Sequence, residues 1–144
     1  MSFVNPTRAQ MQALLRSART IAVCGLSTDP ARPSYGVSAS MQKLGYQIIP
    51  VNPRIAVWKG VPAMATLEDA VASVGLGRRV DIVNVFRKPS TVDEVVEDCI
   101  RLGVPALWLQ VGVINEAAAR RALSAGMTVV MDRCIIVERS RMEA

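Results

Sequence analysis

Histidine does not occur anywhere in this chain of 144 residues. That absence excludes Ser-His-Asp and Cys-His catalysis, phosphohistidine chemistry and the commonest metal ligand together. Any catalysis would fall to Asp, Glu, Lys, Tyr or Cys. Cysteine is scarce as well: Cys24, Cys99 and Cys134 are an odd number without C-x-x-C spacing, which argues against a disulfide framework and a zinc site. Two of the three lie inside apolar patterns and read as small buried hydrophobes. Aromatic residues make up only 4%, with two each of Trp, Tyr and Phe. The 17 Lys and Arg outnumber 12 Asp and Glu, giving a net charge of +5, but they are scattered. No stripe of alternating basic and aromatic residues marks a nucleic-acid surface. An anionic small ligand suits the excess charge better. No apolar run approaches the ~18 residues that span a bilayer, and the Met1 end lacks a signal-peptide pattern. A soluble, cytoplasmic protein is expected, without a membrane partner.

What the chain has in plenty is apolar residues, at 51% with a mean hydropathy of +0.28 and 20% charged. A parallel sheet buried on both faces produces that balance, because its strands read as apolar runs. Thr7 caps an expected first helix carrying Met11, Leu14 and Leu15. Strands are expected at 20–25, 46–52, 80–86, 106–111 and 127–132, with a short edge strand at 61–65. Helices fall between them: one from Ser34 or Tyr35 to Gly45, one capped by Thr66, one from Thr91 to about Leu102 with Ser90 as cap, and one opened by Asn115 and ended by Gly126. Residues 138–144 read as a polar tail on a single domain spanning 1–144. The alternation predicts a Rossmann-like, doubly wound α/β fold with five to six mainly parallel strands.

Right-handed crossovers place every strand's carboxyl end on one edge, where such sheets bind ligands. Five loops meet there: Gly25–Gly36, Asn52–Lys59, Phe86–Pro89, Gln110–Asn115 and Asp132–Cys134. The first, "CGLSTDPARPSYG" including its strand-end cysteine, occupies the phosphate-loop position yet has glycines only at 25 and 36. It matches neither G-x-G-x-x-G nor a Walker A motif, and no carboxylate follows the second strand to hold a ribose diol. The helix start expected at Ser34-Tyr35-Gly36 would still offer free N–H groups to an anion. Gly36 would allow close backbone approach, and Ser27, Ser34 and Arg32 can add hydrogen bonds and charge. An NADP reading, with Arg54 meeting a 2′-phosphate, stays open at this point.

The segments "GLSTDPARPSYGV", "IIPVNP", "DIVNVFRKP", "LWLQVGVINEAA" and "VVMDRC" resemble, in order, the signature segments of the stand-alone bacterial CoA-binding protein family. That family is similar to the CoA-binding amino-terminal domain of the succinyl-CoA synthetase α subunit. The resemblance spans roughly residues 7 to 138. It implies coenzyme A or an acyl-CoA bound across the carboxyl edge, after a loop opened by Gly25. The pyrophosphate would lie over Ser27 and Ser34-Tyr35-Gly36, with Asn52, Pro53 and Arg54 flanking the adenosine. Phe86, Arg87 and Pro89 would line the opposite wall, and Gln110 and Val111 would border the pantetheine. The ligand's 3′-phosphate and diphosphate suit a basic rim of Arg32, Arg54, Arg87 and Lys88. The synthetase's phosphorylated histidine and its second domain have no counterpart here, so ligase activity does not carry over. The resemblance implies a binding or regulatory module, with a small oxidoreductase and a protein-interaction module as the rival readings. Free CoA, an acyl-CoA and a CoA disulfide are not distinguished, nor are a second copy and another protein as partner. Cys134, beside Arg133 at the same edge, is a candidate redox thiol.

Overall fold

The computed structural model describes residues 2–142. Five strands form one parallel sheet: β1 Thr20–Cys24, β2 Gln47–Val51, β5 Ile82–Val85, β6 Ala106–Leu109 and β7 Thr128–Met131, in spatial order β2-β1-β5-β6-β7. A separate antiparallel pair, β3 Val57–Trp58 and β4 Val61–Pro62, packs outside it. The helices are α1 Arg8–Ser17, α2 Pro33–Lys43, α3 Leu67–Ser73, α4 Val92–Leu102, α5 Glu116–Ser124 and α6 Ile135–Ser140.

The apolar strand runs are apolar because alternate residues face two different cores. Ile21, Val23, Ile48, Ile82, Trp108 and Val130 pack against residues of α1, α2 and α6. Ala22, Ile49, Val83, Leu107 and Val129 pack against α3, α4 and α5 on the other side. Trp58 and Trp108 are both fully buried, as packing residues rather than ligand platforms. Cys24 and Cys99 are buried as expected. Thr7, Thr66 and Asn115 each accept an N–H bond in the first turn of their helices.

Four expectations require correction. Residues 61–65 do not form an edge strand of the main sheet; Val61 and Pro62 pair with β3, and only Met64 bridges to Val51. The helix after β1 begins at Pro33, whose missing N–H is harmless at a first helical position. Ser90 is not a cap, because a 3₁₀ turn at Pro89–Thr91 leads into α4. The polar tail is partly a helix: Ile135 and Glu138 turn inward from α6, while positions 143–144 lie outside the described residues.

One carboxylate fastens the amino edge of the sheet. Asp81 accepts hydrogen bonds from the backbone N–H groups of Arg19 and Thr20 and from the Arg79 guanidinium, at 2.8, 3.0 and 3.0 Å. Burial alone would raise its pKa, but these donors outweigh that cost and hold it below the ordinary value of 3.8. The folded pKa is depressed, so the stabilisation is present above the unfolded pKa and is lost as pH falls through the folded one. Asp81→Asn is expected to lose about 1–3 kcal/mol in urea unfolding at neutral pH. The gap from wild type should narrow as pH drops from about 5 toward 2.

Candidate functional site

The order β2-β1-β5-β6-β7 reverses direction at β1. The chain leaves β1 for β2 through α2 on one face, and leaves β5 for β6 through α4 on the other. The carboxyl ends of β1 and β5 therefore flank the crevice where doubly wound sheets take their ligands. Gly25 and Phe86 are the first residues beyond those two ends. Gly25 has φ +86°, and a Cβ placed there would sit 2.7 Å from the Phe86 carbonyl oxygen and 2.8 Å from Arg87 Cγ. Only glycine suits this close approach.

The loop after Gly25 is laced to itself. The Ser27 N–H donates to the Ser34 hydroxyl at 3.0 Å, the Asp29 N–H to Ser27 Oγ at 3.0 Å, and the Ala31 N–H to Asp29 Oδ1 at 2.9 Å. Asn52 ties the end of β2 to the same loop. Its Nδ2 donates to the Leu26 carbonyl at 3.1 Å, while its Oδ1 accepts the Arg54 N–H at 2.9 Å. The loop delivers the start of α2 to the crevice. Arg32 precedes this helix without making a side-chain cap, unlike the residues before α1, α3 and α5. Pro33 has no N–H and the Tyr35 N–H donates to the Arg32 carbonyl at 3.1 Å, so what the start of α2 offers an external acceptor is chiefly the positive end of its dipole.

Arg32, Arg54, Arg87 and Lys88 are all exposed, as are Pro53, Pro89, Gly36 and Val111. Tyr35 and Phe86 are half-buried, and the Tyr35 ring meets Trp58 edge-on at 5.8 Å. Two expected ligand contacts need correction. Ser34 is only 4% exposed, and its oxygen receives the Ser27 N–H, so it shapes the loop from beneath. Gln110 is also 4% exposed, and its Oε1 accepts the Ile135 N–H at 3.0 Å. It anchors the start of α6 instead of facing a pantetheine. Asn84 of β5 is buried, with Oδ1 accepting no hydrogen bond.

At Asp132, φ +59°, the carboxylate accepts the Gly112 N–H at 2.8 Å, joining the loops after β6 and β7. The Asn115 Nδ2 similarly donates to the Pro89 carbonyl at 3.1 Å. The rim is therefore cross-linked from β5 to β7, which a reading of separate segments misses. Cys134 is half-buried just before α6. Burial pushes the Cys24 thiol up to about 12 and also raises that of Cys99, so neither is a ready nucleophile. Among the described residues, no cluster of His, Cys, Asp and Glu could hold a metal ion, and no helix is long and apolar enough to cross a membrane.

A cleft of about 620 Å³ opens at the opposite, amino edge beside Arg19, Arg78, Arg79 and Asp81. Its arginines do not make it an anion site. The carboxyl ends of α1, α2 and α3 point to this edge of a parallel layer, and their dipoles favour cations there. Arg19 already donates to the Arg16 and Ala18 carbonyls at 2.9 and 3.1 Å.

Fold and switch point define a Rossmann-like α/β domain. The chain belongs to the CoA binding domain family, whose profile matches residues 19–140. It is 41% identical over 133 residues to the uncharacterized protein YneT of Bacillus subtilis, covering 92% of this chain and 94% of the relative. A solved structure from Thermus thermophilus, cell-free ID.343, superposes with a TM-score of 0.85 at 36% identity, covering 94% of this chain and 98% of that one. The dinucleotide-forming acetyl-coenzyme A synthetase 1 of Ca. Korarchaeum cryptofilum, solved with phosphate and ADP, matches with a TM-score of 0.62 at 25% identity. That match covers 76% of this chain and 25% of the synthetase.

Proposed function

We propose that the protein is a reversible, non-catalytic binder of coenzyme A or an acyl-CoA, serving as a carrier or regulatory module. The observation that carries this reading is the first turn of α2. It has no side-chain cap and stands beside a crevice whose rim holds four exposed cations. CoA presents a diphosphate and a 3′-phosphate to such a surface. The diphosphate lies across the Tyr35-Gly36 turn, and Arg32, Arg54, Arg87 and Lys88 meet the remaining charge. Asn52 and Pro53 shape the adenosine side, and the pantetheine runs past Phe86 and Pro89 toward Val111. Ser27 and Ser34 hold the loop in shape. The absence of histidine and the burial of Cys24 and Cys99 favour binding over turnover. The same edge suits NADP less well, because no carboxylate follows β2 and the loop lacks the dinucleotide glycines.

Titration calorimetry tests the reading directly. CoA should bind more tightly than NADP. Dephospho-CoA should lose about 1.5–3 kcal/mol, roughly ten- to a hundredfold in Kd, through one missing charge-assisted contact. Affinity should fall with added salt, since the rim cations are exposed and screened. NADP binding as tight as CoA would overturn the assignment.

A further inference from the structure

We propose that Asn5 guards the edge of the sheet against pairing with a second copy of this chain. This inference is independent of the ligand. β7 is an outer strand, so the backbone groups on its open side lack a neighbouring strand. Such edges template association unless they are blocked, charged or covered. Thr128–Met131, "TVVM", contains no charged residue and no proline, so the usual deterrents are missing.

Asn5 takes the neighbour's place at Met131. Its Oδ1 accepts the Met131 N–H at 2.7 Å and its Nδ2 donates to the Met131 carbonyl at 2.9 Å. One side-chain amide thus meets both backbone groups of one residue, as a residue of an adjoining strand would. The contact joins positions 126 apart in sequence, so no local turn requires it.

The surface beside this contact says what the edge would otherwise accept. A groove of about 800 Å³ runs along β7, with Val4, Pro6, Leu14, Leu123, Met127 and Val129 among its walls, and no charged side chain lines it. Two molecules that each carry +5 can meet here without bringing like charges together. Identical strands related by a two-fold axis also make a self-complementary, closed contact. The occupant favoured is therefore a second copy, adding its own β7 to extend the sheet.

The test compares wild type with Asn5→Ala by light scattering after size exclusion, while hydrogen exchange follows the Met131 amide. Asn5→Ala should speed exchange at Met131 in the dilute protein and raise the mass to twice the wild-type value as concentration increases. Adding Thr128→Lys, at an exposed position on the same edge, should restore the wild-type mass by placing a charge on the pairing edge of each copy. Asn5→Val serves as a second variant, because it removes both amide contacts to Met131 without adding a charge to the edge. It should likewise release the Met131 amide. Unchanged mass in a folded Asn5 variant at high concentration overturns the proposal, whether Met131 exchanges rapidly or stays protected. So does a mass increase that Thr128→Lys leaves intact.

Discussion

Gly25→Ala is expected to damage stability and ligand binding together. The position has φ +86°, and the added methyl would meet the Phe86 carbonyl oxygen at 2.7 Å and Arg87 Cγ at 2.8 Å. The arginine side chain can swing away, but the Phe86 carbonyl is held in the strand layer, with its own N–H bonded to the Cys24 carbonyl at 2.9 Å. Left-handed backbone on a non-glycine residue costs about 1–3 kcal/mol, and forced overpacking adds a similar amount. A loss of about 2–6 kcal/mol in urea unfolding follows. Relief requires the β1 and β5 ends to separate, and that moves Phe86 and Arg87, two sides of the proposed CoA crevice. CoA should therefore fail to saturate the variant at concentrations that saturate wild type, even where the variant is fully folded. Wild-type stability in Gly25→Ala would mean that the two strand ends do not meet as described.

The β-strands were legible because burial on both faces turns each into an apolar run with turn residues at its ends. The helix caps were legible because Thr7, Thr66 and Asn115 act within their own first turns. What escaped depends on direction or distance. Ser34 and Gln110 stand at the right edge, but sequence carries no sign that each points into the fold. β3 and β4 are two residues each, too short for any period to show. α6 was hidden by its polar letters, although Ile135 and Glu138 face inward. Asp81 fastens the amino ends of β1 and β5, and Asn5 the open side of β7, through partners 61 and 126 positions away, which no local pattern encodes. The carboxyl-edge loops were found because topology alone brings them together. Their cross-links through Asn52, Asp132 and Asn115 needed coordinates.

Gly36→Val should separate binding from stability, which Gly25→Ala cannot do. Gly36 lies in the first turns of α2 and is exposed. A Cβ built there meets nothing within 4 Å, so the folded protein has no steric reason to resist a larger side chain. Helix propensity points the other way, since glycine is among the poorest helix residues and valine is a few tenths of a kcal/mol better. The variant should unfold in urea at the wild-type concentration or slightly above it. The space that valine fills is the space the proposed diphosphate needs to approach the start of α2. Displacing an anion by a side chain's width weakens both its hydrogen bonds and its interaction with the helix end. CoA affinity should fall at least tenfold, about 1.4 kcal/mol, with undiminished stability. Arg32→Ala, removing an exposed rim charge, should lose less and flatten the salt dependence. If Gly36→Val melts normally and binds CoA as wild type does, the first turn of α2 is not the phosphate site.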